Sequence, residues 1–223
     1  MTDPAAGGEA PPVILKRDLF GSIRLCDDAG GRRIVRDLSD ARWWTRPLAR
    51  LLARREVRAL RRLEGLRGVP RLLQASRLRL DRDWIDGEPM QVAAPRLPGY
   101  FREAARLVRA LHARDVAHND LAKEPNWLVT PDGRPAIVDF QLASVVQRRG
   151  RLFRALAYDD IRHLLKHKRT YLPERLTARE RRILARRSLP SRVWMATGKP
   201  VYRLVTRRLL GWADREGAGD RRL

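Results

Sequence analysis

The stretch from His118 to Phe140, HNDLAKEPNWLVTPDGRPAIVDF, constrains the chain more than any other. It holds two acids, Asp120 and Asp139, with an amide, Asn126, between them. Short apolar runs frame these residues: Val116-Ala117, Trp127-Leu128-Val129 and Ala136-Ile137-Val138. Pro131-Asp132-Gly133 is a turn signal between the last two runs, which therefore read as a hairpin. Hairpin pairing brings the residue before its first strand close to the residue after its second. Asn126 and Asp139 are thus expected to be neighbours. An amide oxygen and a carboxylate are donors of the kind Mg²⁺ takes alongside phosphate oxygens. Asp120, just upstream, is placed to accept a proton from an attacking hydroxyl.

Taken in order, His118-Asn119-Asp120, Asn126 and Asp139-Phe140 resemble the catalytic and metal-binding loops of the protein-kinase-like superfamily. That pattern is H-R-D, four residues, N, then D-F-G. Here five residues separate Asp120 from Asn126, and Gln141 stands where the last glycine would be. Both departures point to atypical members, the bacterial lipopolysaccharide (Kdo and heptose) kinases and the RIO-type kinases. The resemblance implies an α+β, two-lobed fold with a small antiparallel β N-lobe at 13–90 and a truncated helical C-lobe at 91–215. It also implies ATP and Mg²⁺ as cofactors. Asp120 would be the catalytic acceptor of the hydroxyl proton, Lys123 would touch the γ-phosphate, and Asn126 and Asp139 would hold the metal.

The chain before this stretch fits the same layout. VILKRD, SIRLCDD and RRIVRDL are β-prone runs separated by turns at Phe20-Gly21 and Ala29-Gly30-Gly31, which reads as an antiparallel meander. By the resemblance, the first turn would cover the ATP phosphates, with Gly21 as its only glycine. The third run would supply the phosphate-binding cation, and the matching residue is Arg36 rather than lysine. Arginine pairs with phosphate bidentately, yet it is longer and planar. Residues 46–64 read as a helix with Pro47 in its first turn and Leu48, Leu52, Leu60 and Leu63 on one stripe. Glu56 falls on that stripe and needs a partner there, because a lone buried carboxylate is costly. The resemblance offers Arg36. Strand-like runs follow at 70–75 and 78–85, and the backbone near Asp83 and Ile85 would hold the adenine.

Residues 99–114 form the strongest helical pattern, with Phe101, Ala104, Ala105, Val108, Leu111 and His112 inward. It leads straight into His118. Beyond Phe140, the Arg148–Arg151 run occupies a short activation-segment position. Asp160 is read as opening a helix, either as a favourable first-turn acid or as a brace for the catalytic loop. His163 and His167 read as a solvated face of that helix. Thr177 with Glu180 matches a capping box. Residues 201–212 form a rough amphipathic helix of the interfacial type. Residues 1–12 and 216–223 read as disordered ends.

Composition decides the partner question only in part. At 223 residues, with 43% hydrophobic and 33% charged residues, the chain can bury a core. One cysteine, Cys26, rules out an internal disulfide. The N-terminus lacks the features of a signal peptide, and no apolar run nears the ~20 residues needed to span a bilayer. This points to a cytoplasmic protein, with peripheral contact at the membrane face as an option. The formal charge is +22, and only five of the 48 basic residues are lysines. Such a field attracts nucleotides and phosphate-rich or anionic acceptors. A lipopolysaccharide-type sugar or lipid hydroxyl is the favoured acceptor, and protein serine or threonine the next. The alternatives are a pseudokinase serving as a nucleotide- or partner-binding scaffold and, behind it, a nucleic-acid-binding protein, for which no motif speaks.

Overall fold

The first three β-prone runs pair as the meander their turns dictate: β1 (Val13–Asp18), β2 (Gly21–Asp28) and β3 (Gly31–Asp37). The computed structural model describes residues 11–186. The expectations for residues 1–10, for the helix at 201–212 and for the tail from 216 lie outside the described residues. After α1 (Arg46–Arg62), β4 (Leu72–Ala75) and β5 (Arg79–Asp83) complete an antiparallel sheet in the order β1-β2-β3-β5-β4. Helix α1 packs its Ala49, Ala53, Glu56, Ala59 and Leu60 inward. This face is rotated from the expected leucine stripe, and Leu48 is 48% exposed. The rotation places Glu56 where it meets cations from the sheet.

The rest of the described chain is mainly helical, so the architecture is α+β and compatible with two lobes. Strand β6 (Glu88–Pro89) is followed by the single turn α2 (Met90–Ala93) and then by α3 (Pro98–Ala113). Strand β7 (Val116–Ala117) follows, then the hairpin β8 (Trp127–Val129) and β9 (Pro135–Ile137), paired with Trp127 opposite Ile137. Strand β6 adds to the open side of β8, and β10 (Ser144–Val145) pairs with β7. Helix α4 (Arg151–Tyr171) and α5 (Ala178–Ala185) close the described chain. The capping box at Thr177 and Glu180 forms with both reciprocal bonds. Helix α4 begins at Arg151 behind Gly150, so Asp160 lies in its middle and not at its start. The Arg148–Arg151 run therefore ends inside the helix.

One apolar cluster ties these parts together. Leu60 of α1 and Leu63 just after it pack with Val108 and Leu111 of α3, with Trp127 and Ile137 of the hairpin, and with Phe140. The segment from His118 to Phe140 thus packs into the same core as α1 and α3. Among the described residues, no helix is long and apolar enough to cross a membrane.

The β1–β2 turn is fixed by backbone geometry. Asp18 opposes Gly21 across a two-residue loop, Leu19-Phe20. Gly21 has φ +123°, and a Cβ there would lie 2.1 Å from the Asp37 carbonyl oxygen. Gly31 also has positive φ, at +91°, but nothing lies within 4 Å of its Cβ position. Gly21→Ala should therefore cost at least ~2 kcal/mol, a Tm loss of about 4–8 °C for a chain of this size. Gly31→Ala, which meets only the backbone term, should cost about half as much in the same thermal melt. Equal losses would mean that the Asp37 contact imposes nothing.

Candidate functional site

The hairpin assembles the first group of side chains. Asn126 ends a 3-10 turn and its Nδ2 donates to the Asp120 carbonyl oxygen at 2.9 Å and to Asp120 Oδ2 at 3.0 Å. Lys123 Nζ lies 3.2 Å from the same Oδ2. The extra residue between Asp120 and Asn126 is absorbed by this turn, and the side chains still meet. The two donations fix the orientation of the Asn126 amide and leave Oδ1 as its acceptor atom. Across the ladder, the Val138 N–H donates to the Asn126 carbonyl, which brings the chain leading into Asp139 alongside.

Asp139 itself sits in a strained conformation, φ 64° and ψ 72°. Its Oδ1 accepts from Gln141 Nε2 at 2.7 Å. Burial alone would raise its pKa. The Arg36 guanidinium, the Gln141 donor and Arg82 outweigh that effect and hold it below the usual carboxylate range. Asp139 is thus an anion in a mostly buried place. A carboxylate and one amide oxygen suit an ion that fills the rest of its shell with phosphate oxygens and water, as Mg²⁺ does. Among the described residues, no group of three or more His, Cys, Asp or Glu is arranged to hold a metal by itself.

The cations facing Asp139 come from the sheet. Glu56 is fully buried, with Oε2 3.6 Å from Arg36 Nε and Oε1 3.4 Å from Arg82 Nε. None of these contacts has hydrogen-bond geometry, so the three groups are held by charge and packing. The Arg36–Glu56 pair was expected, whereas Arg82 was not. Its signal was present, because in β5 alternation puts Arg82 on the same face as Leu80, which is 1% exposed. Removing one member of such a group strands the others and typically costs 3–5 kcal/mol.

A third set of contacts shapes the loop before Asp120. Asp160, fully buried in mid-α4, accepts the His118 N–H at 2.8 Å and the Asn119 N–H at 2.9 Å, and meets His112 Nε2 at 3.0 Å. It is therefore a brace and not a first-turn acid. Asn119 has φ 67°, and its Nδ2 donates to the Leu142 carbonyl and to Ser144 Oγ. Arg55 of α1 reaches the Leu142 and Ala143 carbonyls. His118 Nδ1 accepts from the Asp120 N–H and Nε2 donates to the Val138 carbonyl, which assigns the neutral tautomer.

A cavity of about 220 Å³ lies where these groups converge. Asp120, Lys123, Asp139, Arg36 and Gly21 line it, joined by Lys16 and Asp18 of β1. Asn126 and Glu56 stand behind it, holding Asp120 and Arg36. Asp83 and Ile85 do not line it. The Asp83 N–H donates to the Arg71 carbonyl, and the Asp83 carboxylate accepts the Arg71 N–H, so this residue belongs to the sheet ladder. His167 is also not solvated. It is 5% exposed and its Nε2 donates to the Leu121 carbonyl at 2.8 Å. The apolar packing of α4 on the loop turns this face inward.

Burial pushes the pKa of three histidines down: His118, His167 and His163, the last to about 4. Nδ1 of His163 is buried without a hydrogen-bond partner among the described residues. Each stays neutral in the fold and is protonated in the unfolded chain below its ordinary value of 6.5. Their contribution is complete above about pH 6.5 and drains away as the pH falls, for His163 toward about 4. Urea melts at about pH 7 and about pH 5 should differ by roughly 2 kcal/mol through His163 alone. His163→Leu should shrink that difference, and an unchanged difference would place the acid sensitivity elsewhere.

Against known proteins, no family model matches the chain and no curated protein matches it, so any function must be argued from this geometry.

Proposed function

We propose that the chain is an ATP-dependent phosphotransferase of the protein-kinase-like superfamily, moving the γ-phosphoryl group to an acceptor hydroxyl. The observation that carries this reading is a single cavity lined by Asp120, Lys123, Asp139 and Arg36. The strand order β1-β2-β3-β5-β4, with one helix placing a buried acid against the β3 cation, supports the same reading.

In this reading Asp120 accepts or orients the hydroxyl proton. Its Oδ2 is held by Lys123 and Asn126, which aim the carboxylate. Lys123 is the group that would meet the γ-phosphate. Arg36, kept in place by Glu56, would meet the α- and β-phosphates. Asn126 Oδ1 and the Asp139 carboxylate would hold Mg²⁺, whose chemistry is to neutralise phosphate charge and fix its orientation. Rate enhancement would come mainly from positioning and electrostatics. The acceptor fits a lipopolysaccharide-type sugar or lipid hydroxyl, or the serine or threonine of a protein.

A second reading, a scaffold without turnover, draws on the β1–β2 turn. The Leu19 carbonyl accepts the Arg42 N–H and the Thr45 hydroxyl, and Gly21 is pressed against Asp37. A turn tied down in this way has little freedom to fold over phosphates.

Transfer of γ-labelled phosphate from ATP into a cell extract, split into lipid, polysaccharide and protein fractions, tests the proposal. Wild type should label one fraction, and Asp120→Asn should reduce that labelling by roughly 10²–10⁴-fold. Labelling that survives the substitution would remove Asp120 from the reaction. No labelling by a wild type that binds Mg-ATP would favour the scaffold.

A further inference from the structure

We propose that the exposed face of α1 and the turn before it form a docking surface for anionic lipid membranes. This goes beyond the phosphotransfer reading and does not depend on it. Trp43 is 80% exposed and Trp44 45% exposed, beside Leu48 at 48% and Leu51 at 53%. Trp44, Leu48 and Leu51 lie at i, i+4 and i+7, so they form one stripe that the turn continues through Trp43. Four large apolar side chains exposed together mark an interaction surface, which scattered ones do not.

The turn holds these rings out rigidly. Ala41 and Thr45, on either side of the two tryptophans, are buried. The Arg42 N–H donates to the Leu19 carbonyl, and the Thr45 hydroxyl donates to the Leu19 and Arg42 carbonyls. The inward face of α1 is already filled by the core, so a rotation that hid the stripe would expose Glu56 and its neighbours.

Charge identifies the occupant. Residues 42–62 contain eight arginines and one acid, Glu56, which is fully buried. Arg42, Arg54, Arg58 and Arg61 are exposed and have no carboxylate within ion-pair distance among the described residues. Arg54 and Arg58 lie on the same outward side of the helix as Leu51, one and two turns further on. Tryptophans at headgroup depth, leucines reaching toward acyl chains and arginines on phosphates are the parts of an interfacial helix face. A second copy, at +22, would be repelled. Residues 187–223 of the same chain carry nine basic residues against three acids and meet the same repulsion. Nucleic acid would use the arginines and stack on the tryptophans, but it has nothing apolar to offer Leu48 and Leu51.

Co-sedimentation of the full chain with vesicles tests this surface, using phosphatidylcholine alone and phosphatidylcholine containing phosphatidylglycerol. Wild type should bind the anionic vesicles and not the zwitterionic ones. Arg54→Glu with Arg58→Glu should weaken binding roughly 30-fold or more. Trp43→Ala with Trp44→Ala should weaken it at least about tenfold. Both variants should keep the wild-type Tm, since none of the four side chains is buried. The proposal is overturned if wild type ignores anionic vesicles or if binding survives the tryptophan pair. It is also overturned if the same substitutions abolish self-association or single-stranded DNA binding while leaving vesicles unaffected.

Discussion

One buried carboxylate organises this molecule. Glu56 has no exposure to water and sits between α1 and the sheet, with a guanidinium from β3 on one side and one from β5 on the other. A carboxylate taken from water without such company would be protonated or would unfold the helix around it. Because Glu56 demands both arginines, α1 must present its alanine row inward. That turns Leu48 and Leu51 outward and fixes the height of Arg36 above the loop below. Arg36 in turn lowers the pKa of Asp139. The charge order Glu56, Arg36, Asp139 therefore runs from helix to sheet to hairpin.

The loop beneath depends on a second buried acid in the same way. Asp160 takes two successive backbone N–H groups, from His118 and Asn119, and so helps hold Asn119 in its left-handed conformation. Asp139 is left-handed as well. Strained residues of this kind persist only where surrounding contacts over-determine them, and they gather at functional sites. Both lie within the His118–Phe140 segment. Arg55 adds a tie from α1 to the Leu142 and Ala143 carbonyls, just past the end of that segment.

Much of the arrangement was legible in the sequence because short-range rules set it. The turn residues gave the meander and the hairpin, and hairpin pairing alone brought the strand after Asn126 beside the strand before Asp139. Glu56 betrayed itself as an acid on a helical stripe. What escaped was set by long-range packing. Asp160 looked like a helix opener because Arg148–Arg151 suggested a loop, whereas apolar contacts carry α4 back to Arg151. His167 was read as solvated, while the carbonyl it serves, on Leu121, is 46 residues away in sequence. Arg82 was readable from strand alternation, once β5 was taken as a strand with Leu80 inward.

The central claim is that the cavity between Arg36 and Asp139 holds a nucleotide with its metal. Calorimetric titration of the full chain with ATP, with and without Mg²⁺, tests it most directly when wild type is compared with Asp139→Asn. The account predicts binding by wild type that tightens when Mg²⁺ is present, and loss of that Mg²⁺ enhancement in Asp139→Asn with residual metal-free binding retained through Arg36. ATP binding that is absent from wild type, or a Mg²⁺ enhancement that survives unchanged in Asp139→Asn, would contradict it.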